Sequence, residues 1–175
     1  GYLMSLNNIP QEYKDRAKEM FDKSLGINQC ISSPRSVCFS ILGYYFYNKV
    51  NYSKTNINLI SSLTNKLVEL YEKNLTGDWK WFEPFLTYEN SRFPEAMFYS
   101  YLSTGKRRYL DIALDSLDFL ISVSFDRDIF SPIGQKGWYL MGRKRAYFDQ
   151  QPIEASSMVQ TLLIAYQITK EKDYL

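Results

Sequence analysis

Histidine is missing from this chain: none of its 175 residues is one. A Ser-His-Asp triad, a Cys-His pair, a histidine-ligated metal and a histidine general base are therefore excluded before any motif is considered. The chain also lacks a large excess of one charge sign: 21 Lys and Arg residues stand against 19 Asp and Glu, a net charge of +2. A net charge this small does not favour binding to a nucleic acid or to a membrane surface. We expect no metal, no cofactor and no nucleic acid.

Cysteine and long apolar runs are scarce as well. The two cysteines, Cys30 and Cys38, have neither CxxC spacing nor the number that a disulfide framework needs, which favours a reducing compartment. The longest nearly apolar run, Val37 to Tyr47, has 11 residues and is too short to span a bilayer. No signal-peptide pattern is visible at the N-terminus. We expect a cytoplasmic protein without a membrane span, or a piece cut from a longer protein.

The apolar residues that are present follow helical spacing, and neither a hairpin-turn dipeptide nor a sustained period-two alternation interrupts them. The segment at about residues 34–48 is apolar nearly all round. Its β-branched and aromatic content also suits a strand, but its length favours a buried helix. The predicted helices cover about residues 10–24 (ending before Gly26), 34–48, 92–104, 107–123 and 151–168, with another through Ile60 and Tyr71 that ends near Gly77. The predicted fold class is all-α.

An internal repeat organises these helices. The segment from Thr104 to Leu110 recurs 65 residues later, from Thr169 to Leu175. Upstream, residues 91–96 and 149–155 each place a capping residue before a first-turn proline and an acid, as helix N-termini do. One unit is therefore a helix, a Thr-centred turn, a second helix and a long return loop. This pattern predicts α-hairpin repeats, with the second copy stopping mid-unit.

Two long return loops, at about residues 76–90 and 124–149, contain all three tryptophans of the chain. Loops of this length usually serve a function. Aromatic faces beside acids, amides and cations are typical of a sugar site, because a pyranose stacks on a ring while its hydroxyls bind polar groups. The alternative interpretation is that the tryptophans only pin the loops to the helices. The predicted substrate-binding residues are Trp79, Trp81, Tyr88, Asn90, Arg92, Trp138, Tyr139, Gln150 and Gln151.

Carboxylates are the remaining candidates for catalysis. Glycoside hydrolysis needs two of them and no histidine. Glu83 lies between two phenylalanines, so its pKa is expected to be raised, as a general acid requires. Asp149 and Glu154 are further candidates, although Asp149 also suits a helix cap and Glu154, like Glu95, suits the positive end of a helix dipole. Spacing alone does not identify a catalytic pair.

Two short basic clusters, residues 106–108 and 143–145, are interpreted as solvated turns rather than phosphate or nucleic-acid sites. The glycines at 134, 137 and 142 follow no predicted strand and form neither a GxGxxG nor a Walker pattern. A nucleotide cradle is therefore not expected.

Three groups of motifs carry a resemblance to a known family. They are WKWFE at residues 79–83 with LTYENSRFPEA at 86–96, FSPIG at 130–134 with GWY at 137–139, and FDQQPIEA at 148–155. Residues 75–175 resemble the helical region found alongside or fused to bacterial group 1 glycosyltransferases. That region is similar to the (α/α)6 toroid of six-hairpin glycosidases and of the N-acylglucosamine 2-epimerase-like group. Residues 1–74 match only as generic helices.

The resemblance implies a toroid in which inner helix ends and loops form a carbohydrate-facing cleft. It implies a sugar or oligosaccharide as ligand and a glycosyltransferase domain in the same chain or operon as partner. Epimerisation is not expected, because the epimerase-like enzymes use histidines. Since 175 residues hold fewer than three of the repeat units, we expect a single α-hairpin domain that is part of a larger toroid.

Three functions follow from these observations. The first is a carbohydrate-handling helical module of a bacterial glycosyltransferase system. The second is a glycoside hydrolase, which requires two facing carboxylates in one cleft, about 5–5.5 Å apart for retention or about 6.5–9.5 Å for inversion. The third is a non-catalytic α-repeat scaffold for protein binding, favoured if the tryptophans pack against helices with no open cleft. The sequence does not decide whether the chain is an enzyme.

Overall fold

Hairpins of α-helices dominate the computed structural model, which describes residues 1–25 and 31–175. Within these residues there are seven α-helices, four two-residue strands and a short C-terminal 3-10 helix at Lys172–Tyr174. The helices are α1 (Tyr2–Ser5), α2 (Gln11–Ser24), α3 (Pro34–Val50), α4 (Lys54–Asn74), α5 (Arg92–Thr104), α6 (Arg107–Ser124) and α7 (Pro152–Thr169). No helix among the described residues combines the length and apolar character needed to cross a bilayer.

The helices begin and end where local chemistry favours it. Pro34 and Pro152 occupy the first turns of α3 and α7, where a missing N–H costs nothing. The Ser53 side chain accepts a hydrogen bond from the Thr55 N–H and so caps α4. Gly105 ends α5 in the left-handed conformation, with φ of 71°. The mostly helical fold is therefore confirmed, and α2 ends at Ser24, as predicted. Gly26 and Cys30 lie outside the described residues.

The hairpins pack side by side with α5 at the centre. Helix α3 packs against α4, and α5 against α6; α5 also contacts α3, α4 and α7. The helices α3, α5 and α7 therefore form one row, and α4 and α6 lie behind it. A hydrophobic core runs between the rows, and its largest fully enclosed side chains are Trp81, Tyr44, Tyr109, Phe82, Phe93 and Phe98. Much of the aromatic content of the sequence is core.

The sequence repeat has a matching structure at its turns. Thr104 Oγ1 accepts a hydrogen bond from the Lys106 N–H, and Thr169 Oγ1 accepts one from the Glu171 N–H. The position after each threonine is left-handed, and its N–H donates to the tyrosine carbonyl four residues earlier. The equivalent hydroxyls of Tyr109 and Tyr174 each donate to the previous outer helix, at Asn65 of α4 and Asp118 of α6.

Short strands, which the sequence pattern did not predict, connect the return loops. Strand β1 (Phe85–Leu86) pairs antiparallel with β4 (Tyr139–Leu140), so the two loops are joined to each other. Strands β2 (Phe125–Asp126) and β3 (Ile129–Phe130) form a tight hairpin directly after α6. Two-residue strands leave no alternation to detect, and their pairing depends on how the loops pack.

Candidate functional site

Most of the predicted site residues gather where α3, α5 and α7 begin. Helix α4 ends at Asn74 and α6 at Ser124, so the two return loops lead back to the N-terminal ends of the row of helices. Backbone strain collects in these loops: Glu89, Trp138 and Asp149 have φ values of 53°, 56° and 59°. Left-handed non-glycine residues persist where the surrounding structure fixes them, often at functional sites.

Arg92 is the centre of a partly buried polar network in this region. Its Nε lies 2.7 Å from Glu89 Oε2, and its Nη1 lies 2.6 Å from Glu95 Oε2 and 2.7 Å from Gln160 Oε1. Burial alone lowers the pKa of Arg92, but the charges and hydrogen bonds of Glu95 and Glu89 outweigh it and raise that pKa. Burial raises the pKa of Glu95 despite the opposing charge of Arg92. The network joins α5 to α7 and fixes the Arg92 side chain.

Glu154 connects the start of α7 to the loop before α5. Its carboxylate accepts hydrogen bonds from the Glu89 N–H and, at 3.4 Å each, from the backbone and side-chain N–H groups of Asn90. Burial raises the pKa of Glu154, and these hydrogen bonds oppose the rise. Asn90 is itself buried and closes a turn with Thr87 through two hydrogen bonds. Glu154 and Asn90, both predicted site residues, therefore hold the loop before α5 in place.

Glu83 is paired with Arg35, a residue that the sequence analysis did not single out. Arg35 Nη1 lies 2.8 Å from Glu83 Oε2, and the same guanidinium donates to the Tyr88 carbonyl and to Thr87 Oγ1, each at 2.7 Å. Burial raises the pKa of Glu83, and Arg35 opposes the rise. The helix dipole disfavours a cation in the first turn of a helix, so such a cation is expected to have a nearby acid that compensates for it. Arg35, directly after Pro34, was therefore a signal that the sequence offered.

Trp79 and Trp81 lie in the core. Trp81 is completely enclosed and contacts the rings of Phe82 and Phe93 edge-on. Trp79 donates its indole N–H to the Glu83 carbonyl at 2.9 Å and contacts Phe119. A stacking platform needs a ring face that a ligand can reach, and neither indole offers one in this structure. The stacking role expected of these two residues is therefore corrected to a packing role.

The other predicted binding residues lie on the loop surface. Tyr88 is half-exposed, and its ring centroid lies 6.5 Å from that of the half-buried Trp138. Tyr139 is half-buried in β4. The side-chain amides bond within the same loop, Gln150 to Ser131 Oγ at 3.0 Å and Gln151 to Gln135 Oε1 at 2.5 Å. The exposed Asp149 carboxylate contacts no polar group among the described residues.

An open groove of about 460 Å³ lies along the row of α3, α5 and α7. Its aromatic wall residues are Tyr2, Phe39, Phe46 and Tyr99, and its polar wall residues are Arg92, Glu95, Gln160 and Gln167. Of the predicted binding residues, Arg92 alone lines it. The sequence analysis missed Phe39 and Phe46 because they belong to α3, a helix that is apolar nearly all round. In such a helix no sequence pattern shows which face stays uncovered.

The groove holds one carboxylate among the residues that the structure describes, Glu95, and this acid is ion-paired with Arg92. Glu83 and Glu154 bind other partners and do not line the groove, and Asp149 lies on the loop surface. No group of three or more acids and cysteines within residues 1–25 and 31–175 could hold a metal ion. The arrangement suits binding through hydrogen bonds and ring contacts.

Comparison with known proteins gives no relative from which to transfer a function. No family model matches the chain, and no curated protein and no solved structure is significantly similar to it. Function is therefore argued from the groove and its side chains.

Proposed function

We propose that this protein binds a sugar or oligosaccharide in the groove along α3, α5 and α7. On the resemblance of residues 75–175, we further propose that it does so as part of a toroid-type module of a bacterial glycosyltransferase system in the cytoplasm. The observation that carries the binding proposal is the groove lining, in which four aromatic rings face a fixed polar group made of Arg92, Glu95 and Gln160.

The groove has the chemistry that sugars require. The apolar face of a pyranose stacks on an aromatic ring, and Phe39 is half-exposed and lies beside the Arg92 guanidinium, 5.7 Å from it. Arg92 and Gln160 supply N–H donors, and Glu95 accepts hydrogen bonds from hydroxyls. The volume of about 460 Å³ lies within the usual range for small-molecule sites, about 300–1,000 Å³.

The polar groups of the groove are already fixed before a ligand binds. Arg92 holds Glu95 and Gln160 at hydrogen-bond distance, so little side-chain entropy remains to be lost on binding. Burial and the nearby Glu95 raise the pKa of Tyr99. Its phenol is a hydrogen-bond donor at neutral pH, as an ordinary tyrosine also is. Preorganisation of this kind favours recognition of hydroxyl groups with defined directions.

Binding accounts for the groove better than the two other functions. Hydrolysis by a carboxylate pair needs two acids across one cleft, and the described part of the groove offers Glu95 alone. The enclosed positions of Trp79 and Trp81 are those expected of a protein-binding scaffold, but the open groove is not.

The experiment that tests the proposal is a glycan panel of neutral, amino and acidic oligosaccharides. We expect saturable binding, weakened at least tenfold by Phe39→Ala, a loss of about 1.4 kcal/mol. Leu102→Ala is the matched control, because Leu102 is a similarly exposed apolar residue that does not line the groove. No binding across the panel, or equal losses in both variants, would contradict the proposal.

A further inference from the structure

A cavity of about 560 Å³ lies where α6 ends and the second return loop passes, and it shares no lining residue with the groove. The basic residues Arg143, Lys144 and Arg145 line it together with the rings of Tyr139 and Tyr147. The sequence analysis interpreted residues 143–145 as a solvated turn. Arg143 and Lys144 are exposed, as that interpretation expects, and they also line this cavity.

The two basic clusters of the chain differ in how their charges are compensated. In the first cluster, Arg107 forms an ion pair with Asp111 at 2.7 Å, and Arg108 forms one with Glu72. None of the three cations at 143–145 has an ion-pair partner within residues 1–25 and 31–175. The side chains of Arg143 and Lys144 are exposed and bind no other described group.

Arg145 holds the loop rather than a ligand. Its guanidinium donates to the carbonyls of Val123, Ser131 and Pro132, and its charge lies 4.5 Å from the centre of the Tyr147 ring. These acceptors are neutral, so they orient the guanidinium without cancelling its charge. Burial lowers the pKa of Arg145, as expected for a cation that lacks a carboxylate partner.

The charge balance of the cavity stays positive after its lining carboxylate and the adjacent helix end are counted. Asp126 contributes one negative charge, and the C-terminal end of α6 contributes the equivalent of about half a charge. Three cations exceed this sum. A bound anion with two negative charges complements what remains.

We propose that this cavity binds the phosphate group of a small molecule, with Arg143 and Lys144 contacting the phosphate and Arg145 fixing the loop that carries them. Arginine offers a planar fork of N–H donors and lysine a compact charge, and both bind phosphate oxygens. The cavity is larger than one phosphate ion, and the rings of Tyr139 and Tyr147 line the space beyond it. Free phosphate and a sugar phosphate share this chemistry.

The test is an NMR titration of the whole chain with inorganic phosphate, glucose 6-phosphate and glucose. We expect both phosphates to shift the amide signals of residues 139–147 to saturation, and glucose to leave those signals unmoved. Tighter binding of glucose 6-phosphate than of inorganic phosphate identifies a sugar phosphate as the source; equal binding identifies the free anion. The double variant Arg143→Gln/Lys144→Gln should weaken binding of both phosphates at least tenfold, because it removes both charged donors to the phosphate oxygens.

The matched control is Lys106→Gln/Arg107→Gln, which removes the same charge from the other basic cluster and should change the dissociation constant by less than about twofold. Equal losses in the two double variants would overturn the proposal, because they would reduce the effect to net charge. It would also be overturned by no saturable shift at residues 139–147, or by shifts centred on Arg92.

Discussion

At the residue scale, the buried carboxylates near the helix starts are held by two kinds of partner, an arginine or a set of N–H groups. Glu83 faces the guanidinium of Arg35, and Glu95 shares Arg92 with Glu89. Glu154 has no cation and accepts only N–H groups. In all three of Glu83, Glu95 and Glu154, burial outweighs the partner and raises the pKa above the ordinary 4.5. These acids therefore make stability depend on pH in a defined direction.

The sign of that dependence follows from proton binding. Between pH 4.5 and the raised pKa of Glu154, the folded state holds more protons than the unfolded chain. The free energy of unfolding therefore falls as the pH rises through this interval. Glu154→Gln removes the titration and keeps one acceptor oxygen for the Glu89 N–H, while the two 3.4 Å hydrogen bonds from Asn90 to the second oxygen are lost.

We expect Glu154→Gln to reduce the decline in the free energy of unfolding between pH 5 and pH 8, measured by urea denaturation at each pH. Asp149→Asn is the control, because this exposed carboxylate contacts no described polar group. An unchanged slope in Glu154→Gln, or an equal change in both variants, would contradict the assignment.

A second prediction at this scale separates core aromatics from groove aromatics. Trp81→Ala empties a fully enclosed site, so it should lower the free energy of unfolding by about 3–5 kcal/mol. Phe39→Ala should cost less than about 1 kcal/mol, because Phe39 is 49% exposed. Denaturant titration of both variants checks this. A small loss in Trp81→Ala would show that the indole is not packed as described.

At the scale of elements, the repeated turns after α5 and α7 give two nearly equivalent left-handed positions with different residues. Gly105 has φ of 71° and Lys170 has φ of 65°. Glycine takes this conformation without strain, whereas a residue with a Cβ pays for it. No atom lies within 4 Å of a Cβ built on Gly105, so backbone strain rather than a clash decides the effect of substitution there.

Exchanging these two residues should therefore move stability in opposite directions. We expect Gly105→Lys to lower the free energy of unfolding by about 1 kcal/mol and Lys170→Gly to raise it by about 0.5–1 kcal/mol. Thermal unfolding of each single variant measures both effects. Changes of the same sign would show that the two turns are not equivalent.

The sequence predicted the helices well and the strands not at all. Helices α5 and α7 lie within one or two residues of their predicted ranges, because each has a first-turn proline or acid at its start and a left-handed turn at its end. Helix α1 was missed, since four residues show no periodicity. Strands β1 and β4 were missed because they are two residues long and pair across more than fifty residues of chain.

At the scale of the whole molecule, the candidate site depends on packing that no local pattern contains. Arg92 was predicted, and it lines the groove. Phe39 and Gln160 were not, because their importance arises only when α3 and α7 lie beside α5. The tryptophans misled the sequence analysis for a related reason. Long loops suggested exposure, but Trp79 and Trp81 pack inward from the loop onto the helices.

The central claim is that the groove along α3, α5 and α7 binds a sugar. Chemical-shift mapping of the whole chain during titration with the oligosaccharides of the glycan panel tests it most directly. We predict saturable shifts that centre on Phe39, Arg92, Tyr99 and Gln160 and are weakened at least tenfold by Phe39→Ala. Saturable shifts that centre elsewhere, or no shifts with any oligosaccharide, would contradict the claim.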